Sequence, residues 1–507
     1  MTRSSKPIYA VLLLMTHAVP AFTAETAAWR FDVQFTADAH PKTYSGRVYI
    51  FFSRIHREPR TGPNWFHPEM FVAQDVRNWK PGQTLSFSTA ATGRILAYPV
   101  PLKEMRLAGY RAQAVARFNP FDRRVGTGAG NGYSRVLTVQ NLNHNSPPPR
   151  LVIDRLVPPR KFVETRWSKL LRMRSPRLSK FHNRNVFMNA AVILPAGYYD
   201  QPARRYPTIF TIPGFGGTHF SGRRSRPVAE QNARGVEFLR VVLDPSCPLG
   251  HHVFADSANN GPVGTAMIRE LIPEFDRRFR SLAEPSARFL TGHSSGGWSS
   301  LWLQVTYPNR FGGTWSTSPD PVDFRDFQRI NLYRSGENMY VDAQGDPRPL
   351  ARRGGRVLLW YKGFAEMERV LGPGGQLHSF EAVFSPRGKD GRPRLLWDRR
   401  TGRIDARVAD TWKKYDIRLV LESHWKTLGP QLAGKLHVYT GDADTFYLEG
   451  AVQLLKQTLQ KLGSDAVVEI HPGRDHFTLL DRPLRDRIRR EMVAAFLKTH
   501  SRYGKKR

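Results

Sequence analysis

The sequence predicts a two-part chain, an all-β sandwich followed by a doubly wound α/β layer on a mostly parallel sheet. Three observations carry that expectation. Residues 29–145 alternate apolar and polar side chains in short runs broken by Gly, Pro, Asn and Asp, the pattern of half-buried strands. Beyond about residue 166, near-continuous apolar runs alternate with stretches whose apolar residues recur every three or four positions. The first kind suits strands covered on both faces and the second suits helices packed on them. Between an apolar run at 288–291 and a helix-compatible stretch at 298–307 lies Gly292-His293-Ser294-Ser295-Gly296-Gly297. Strand, G-x-S-x-G, helix is the setting in which a serine sits on a strained turn with its hydroxyl clear of the sheet.

The period-two region opens with Trp29, Phe31, Val33 and Phe35, continues at Val48, Ile50 and Phe52, and repeats from Tyr110 to Phe118. No long helical pattern interrupts it, so a sandwich is expected over 25–145. Nothing there forms a catalytic constellation, and Trp65, Phe66 and Trp79 are expected in core or interface packing, with a binding platform as the alternative. Prolines at 147–149 and 158–159 mark a linker over 146–165. The α/β part, 166–500, begins with strands at 170–174 and 186–194, then covered strands at 206–212 and 237–243. Ile268, Leu271, Ile272, Phe275 and Phe279 share one face of a helix over 265–280; Leu448, Val452, Leu455 and Leu459 do the same over 447–462. The last strands are expected at 435–440 and 466–470, followed by a closing helix at 485–499 and a basic tail at 501–507. A stretch of 321–434, rich in Arg, Gly, Pro and Trp, interrupts the alternation and is expected to form a cap.

The chain has 507 residues, 40% apolar and 11% aromatic, which excludes a disordered protein and supports more than one core. Its formal charge of +34 is spread along the sequence and would attract anions; no nucleic-acid-binding motif accompanies it. Arg3 and Lys6, the apolar run 8–15 and the small residues of 18–24 read as a cleavable export signal, too short to span a membrane. A periplasmic or extracellular protein of bacterial type is expected. The single cysteine, Cys247, permits no internal disulfide.

Ser294 needs a base, and the base needs an orienting carboxylate. Downstream, the strand at 435–440 ends in Gly441-Asp442-Ala443-Asp444, and the next ends in His471-Pro472-Gly473-Arg474-Asp475-His476. His476 is the base candidate and His471 is expected to point elsewhere. Asp444, past the glycine, is favoured as the acid, with Asp442 as the cap of the following helix. Pro213-Gly214-Phe215-Gly216-Gly217 follows the 206–212 strand, so the N–H of Phe215 or Gly216 would pair with that of Ser295 as oxyanion donors. The stretch 250–260 is expected to line the same cleft, which with Trp298 makes His252, Asp256 and Asn260 candidate substrate contacts. His251-His252 lacks ligand spacing for a metal.

PGFGG at 213–217, GHSSGGWSSLW at 292–302, GDADTFYL at 441–448 and GRDHF at 473–477 together resemble the putative-esterase family of α/β-hydrolases. That family includes esterase D, feruloyl esterases and enterochelin esterases, the last with an amino-terminal β-domain. The resemblance covers roughly 170–500, and the long 321–434 segment departs from it. It implies a serine-dependent carboxylic ester hydrolase of α/β-hydrolase fold, using no metal or organic cofactor. The expected partner is a small-molecule or polysaccharide-linked ester, anionic if the net charge guides it. Acyl transfer or peptide cleavage on the same triad is the alternative within enzymes; a polyanion-binding protein with an inert hydrolase part is the alternative outside them.

Overall fold

The computed structural model describes residues 29–90, 93–140, 147–227 and 235–503. The expected export signal at 1–24 lies outside the described residues. The amino-terminal region forms one nine-stranded sheet. Across it run Leu85–Ser88, Arg30–Phe35, Arg150–Leu156, Gly132–Ser134, Arg111–Ala116, Tyr44–Ser53, Phe71–Trp79 and Ile95–Tyr98, with Leu137–Thr138 also on Arg111–Ala116. Phe31 and Phe52 lie on strands four places apart, roughly 19 Å in a flat sheet, yet their rings are 5.6 Å apart. The sheet therefore rolls over a core of Phe31, Val33, Ile50, Phe52 and Ile153. The two packed layers expected of a sandwich are reached by one continuous sheet. The linker expectation is corrected: Arg150–Leu156, inside the 146–165 segment, pairs parallel to Arg30–Phe35.

The second sheet has eight strands. In order they are Ser168–Arg174, Phe187–Ile193, Leu239–Leu243, Thr208–Ile212, Arg288–His293, Gly313–Thr317, Leu436–Gly441 and Val467–His471. The first two pairings are antiparallel and the rest parallel. Because successive side chains leave opposite faces, Phe210 and Leu290 pack with the helical segment around Ile268, Leu271 and Phe275. Ile209, Phe289, Trp315 and Tyr439 face the other way, against helix Arg482–Thr499. Helices on both faces make the sheet doubly wound.

Residues 321–434 enter between Gly313–Thr317 and Leu436–Gly441. They fold as a hairpin, Pro349–Arg353 with Arg356–Trp360, and helices Tyr361–Leu371, Gln376–Phe384, Ala406–Trp412 and Ile417–Leu432. Phe324, Phe327, Phe384 and Trp412 form the centre of this unit, with ring centroids 5.1 to 5.9 Å apart. The amino-terminal sheet grips it. Arg47 donates to the carbonyls of Arg369 and Val370 at 2.8 and 3.0 Å, and Tyr49 to that of Leu371 at 2.6 Å. These are the orphan carbonyls at the end of helix Tyr361–Leu371, where donors and positive charge are favoured. The Glu368 carboxylate accepts from the N–H groups of Leu377 and His378 at 3.0 and 3.1 Å, which caps the next helix. Among the described residues no helix is long and apolar enough to cross a membrane.

Candidate active site

Ser294 joins strand Arg288–His293 to helix Ser295–Thr306 at φ 61° and ψ −128°, a strained conformation for a residue with a Cβ. Its N–H donates to Thr317 at 3.0 Å, and its carbonyl accepts from Trp298 at 3.0 Å, so neighbouring elements hold the strain in place. The flanking glycines are required by contact. A Cβ on Gly292 would lie 2.0 Å from the Gly296 carbonyl oxygen, and one on Gly296 would lie 1.9 Å from that of Ile212.

The candidate acid and base follow the last two strands of the sheet, Leu436–Gly441 and Val467–His471. His476 Nδ1 donates to Asp444 Oδ2 at 2.9 Å, and both side chains are buried. Asp444 Oδ1 accepts from the Phe446 N–H at 2.8 Å, so the carboxylate is held from two sides. The His476 ring sits between those of His293 and Phe446, with centroids 4.4 and 4.9 Å away. Burial, followed by the nearby His476, pushes His293 down to about 3, so its ring stays neutral. Asp442 is exposed and accepts from the Gly473 N–H at 2.8 Å, tying the loop after Leu436–Gly441 to the loop after Val467–His471. This corrects its expected role as a helix cap. His471 lies beside Glu469 and Tyr439, away from this group.

The glycine-rich turn after Thr208–Ile212 faces the serine. A Cβ on Gly214 would lie 3.3 Å from Ser294 Cβ. The N–H groups of Phe215 and Ser295 donate to nothing among the described residues. His251 fixes the turn from below: its Nε2 donates to the Pro213 carbonyl at 2.9 Å and its Nδ1 accepts from the Val253 N–H at 3.1 Å. Burial pushes this imidazole down to about 3, so the neutral ring can keep one donor and one acceptor in place. The sequence does not reveal this positioning residue, because its work is a bond to a carbonyl 38 residues upstream.

Ser294, His293, His476, Gly214 and Phe215 line one cavity of about 330 Å³. Its other walls are largely apolar. Leu350, Phe364 and Phe380 come from the 321–434 insertion, and Trp65 and Phe66 from the amino-terminal region. Trp65 packs at 5.5 Å on Phe215 and 5.0 Å on Phe364, an interface contact that also makes it a wall of the cavity. Trp79 does serve the core, 4.5 Å from Phe35. Gly216, His252 and Asn260 line a second cavity of about 300 Å³ behind the glycine-rich turn. Asp256 instead accepts from the Thr265 N–H at 2.9 Å, and Trp298 is buried, stacked on Trp302 at 5.2 Å. Neither is among the residues lining the Ser294 cavity.

The family model described as "Putative esterase" matches residues 182–449, more than half of the chain. The chain belongs to the putative-esterase family. No curated protein matches it. Among solved structures, a ferulic acid esterase is 12% identical over 65% of this chain and 99% of its own, with a TM-score of 0.39. An S-formylglutathione hydrolase from Agrobacterium tumefaciens is 15% identical over 66% and 94%, with a TM-score of 0.38. A dipeptidyl peptidase 4 from Porphyromonas gingivalis is 12% identical over 84% of this chain and 48% of its own, with a TM-score of 0.38. The protein is a serine carboxylic ester hydrolase with an α/β-hydrolase fold. The matched span contains the glycine-rich turn, Ser294 and Asp444 of this esterase, and it ends before His476.

Proposed function

We propose that this esterase works through an acyl-enzyme on Ser294, with His476 as general base and acid and Asp444 as its orienting carboxylate. One arrangement carries the reading: a strained serine and a buried His476–Asp444 pair meet in a cavity beside two free backbone donors. Ser294 Oγ attacks the ester carbonyl as His476 Nε2 takes its proton. The developing oxyanion accepts from the N–H groups of Phe215 and Ser295, each such donor being worth about 2.7–4 kcal/mol. His476 then protonates the departing alcohol, and water attacks the acyl-enzyme by the same proton route in reverse. Asp444 stabilises the imidazolium in both halves without itself taking the proton. Among the described residues Ser294 Oγ makes no hydrogen bond, and in this reading its bond to His476 Nε2 forms when substrate fills the cavity that both line.

In the same reading the 321–434 insertion is the cap that closes the cavity, and the amino-terminal signal sends the enzyme out of the cytoplasm. Ser294→Ala tests the chemistry. Turnover of p-nitrophenyl acetate should fall by about 10⁴–10⁶-fold at an unchanged melting temperature; residual activity within tenfold of the native enzyme would assign the nucleophile elsewhere.

A further inference from the structure

The Ser294 cavity holds a polar group that the triad does not use. Asp320 follows strand Gly313–Thr317, is 6% exposed and lines the cavity. Its Oδ2 accepts from Ser295 Oγ at 2.6 Å and from Gln376 Nε2 at 3.3 Å. Its Oδ1 accepts from no group among the described residues and faces the cavity space. The backbone fixes its place, since the Asp320 N–H donates to the Ser294 carbonyl at 3.3 Å. Gln376 Oε1, beside it, is buried with no partner among the described residues, and a buried acceptor without a donor is costly unless something arrives to pair with it.

The lining around it is one-sided. No Lys or Arg is among the residues that form this cavity. The surplus of +34 is therefore carried elsewhere in the chain, and among the described residues Asp320 is the one acidic residue lining the space beside the nucleophile, with Asp444 fully buried against His476. An anionic group placed there would meet Asp320 with no counter-charge. A neutral hydroxyl would supply a donor and leave the buried charge uncompensated. A protonated amine supplies donors and the opposite charge together, and the aromatic lining of Trp65, Phe364 and Phe380 suits its apolar stem.

We infer that Asp320 is a specificity-determining residue, and that the enzyme takes esters whose cavity-bound part is an apolar body carrying a protonated amine. This rests on the reading of Ser294 as nucleophile only in taking the cavity as the substrate's place, and it reverses the expectation of an anionic substrate.

A rigid set of p-nitrophenyl benzoates tests it, carrying 4-aminomethyl, 4-hydroxymethyl, 4-methyl or 4-carboxy groups. In the native enzyme kcat/KM should be highest for the aminomethyl ester, by about tenfold or more over the methyl ester, and lowest for the carboxy ester. In Asp320→Asn the aminomethyl-to-methyl ratio should fall toward one. Binding of 4-methylbenzylamine, 4-methylbenzyl alcohol and 4-methylbenzoate by calorimetry provides a readout that needs no turnover. Amine binding lost on Asp320→Asn, with no ester hydrolysed, would uphold the carboxylate's role and remove the nucleophile reading. Esters hydrolysed with the hydroxymethyl, methyl or carboxy compound equal to or better than the aminomethyl one would overturn the inference and leave the esterase reading standing. That native ranking decides the matter even if Asp320→Asn does not fold.

Discussion

Asp444 and Asp442 stand two residues apart and do different work, because the turn after Leu436–Gly441 buries one and exposes the other. Asp444 reaches the His476 Nδ1–H, whereas Asp442 braces the Gly473 N–H. In Asp444→Asn the amide can still accept from Phe446, so the loop should hold. An amide that turns its NH₂ to His476 favours the wrong tautomer, and turnover should drop by up to roughly 10⁴-fold at a nearly constant melting temperature. Asp442→Ala removes one loop-to-loop hydrogen bond, for a stability loss of about 0.5–1.5 kcal/mol with most turnover retained. Thermal melts and steady-state kinetics on the two variants check this; the opposite pattern would make Asp442 the acid. The choice between the two was legible because the residue spacing beyond the glycine differs. His251 and Asp320 were not legible, since each acts on a backbone group or side chain far away in sequence or buried in a pocket that only folding creates.

The amino-terminal sheet and the insertion form one wall together. Strand Tyr44–Ser53 is buried on both faces: Ile50 and Phe52 turn into the rolled sheet, while Tyr49 and Phe51 pack on the core of the insertion. Arg47 and Tyr49 hold the end of the helix that carries Phe364, and Trp65 completes the cavity beside it. Trp65→Ala should therefore raise KM for an aromatic ester by about tenfold, equivalent to ~1.4 kcal/mol. Trp79→Ala should instead cost about 3–5 kcal/mol of stability and leave the constants of the folded enzyme near their native values. Kinetics and denaturant titrations on the pair would separate the roles; an unchanged KM in Trp65→Ala would remove the amino-terminal sheet from substrate binding. The strands were readable because period-two alternation survives inside a rolled sheet. The insertion was not: its short helices and hairpin are held by Glu368, by Arg47 and by aromatic clusters whose members are scattered through the sequence. The strand Arg150–Leu156 was hidden in the same way, since flanking prolines mark a linker and only its pairing with Arg30–Phe35 makes it part of a sheet.

At the scale of the whole molecule, buried histidines set the response to acid. Burial pushes His251 and His293 down to about 3 and His252 to about 4, from 6.5. As pH falls below 6.5 the unfolded chain takes up three protons that the folded chain refuses, so these groups withdraw stability on acidification. Two carboxyls oppose them. Burial raises Asp320 to about 6, and Glu449 to about 7 even with Arg352 beside it, so near pH 5 the folded chain holds two protons that the unfolded chain has largely released. Three against two leaves a net uptake of about one proton on unfolding, or ~1.4 kcal/mol per pH unit near pH 5. His40, His182 and His437 are also lowered by burial and add to that slope, whereas Asp326 and Asp416 are raised and subtract from it. Urea unfolding should therefore show the enzyme losing about 1–3 kcal/mol between pH 7 and pH 5. His252→Asn should flatten the slope, because it removes one of the protons that the unfolded chain gains. A native midpoint that holds level or rises over that interval would mean that these rings take up protons in the folded protein, the His251 ring bonded to the Pro213 carbonyl among them.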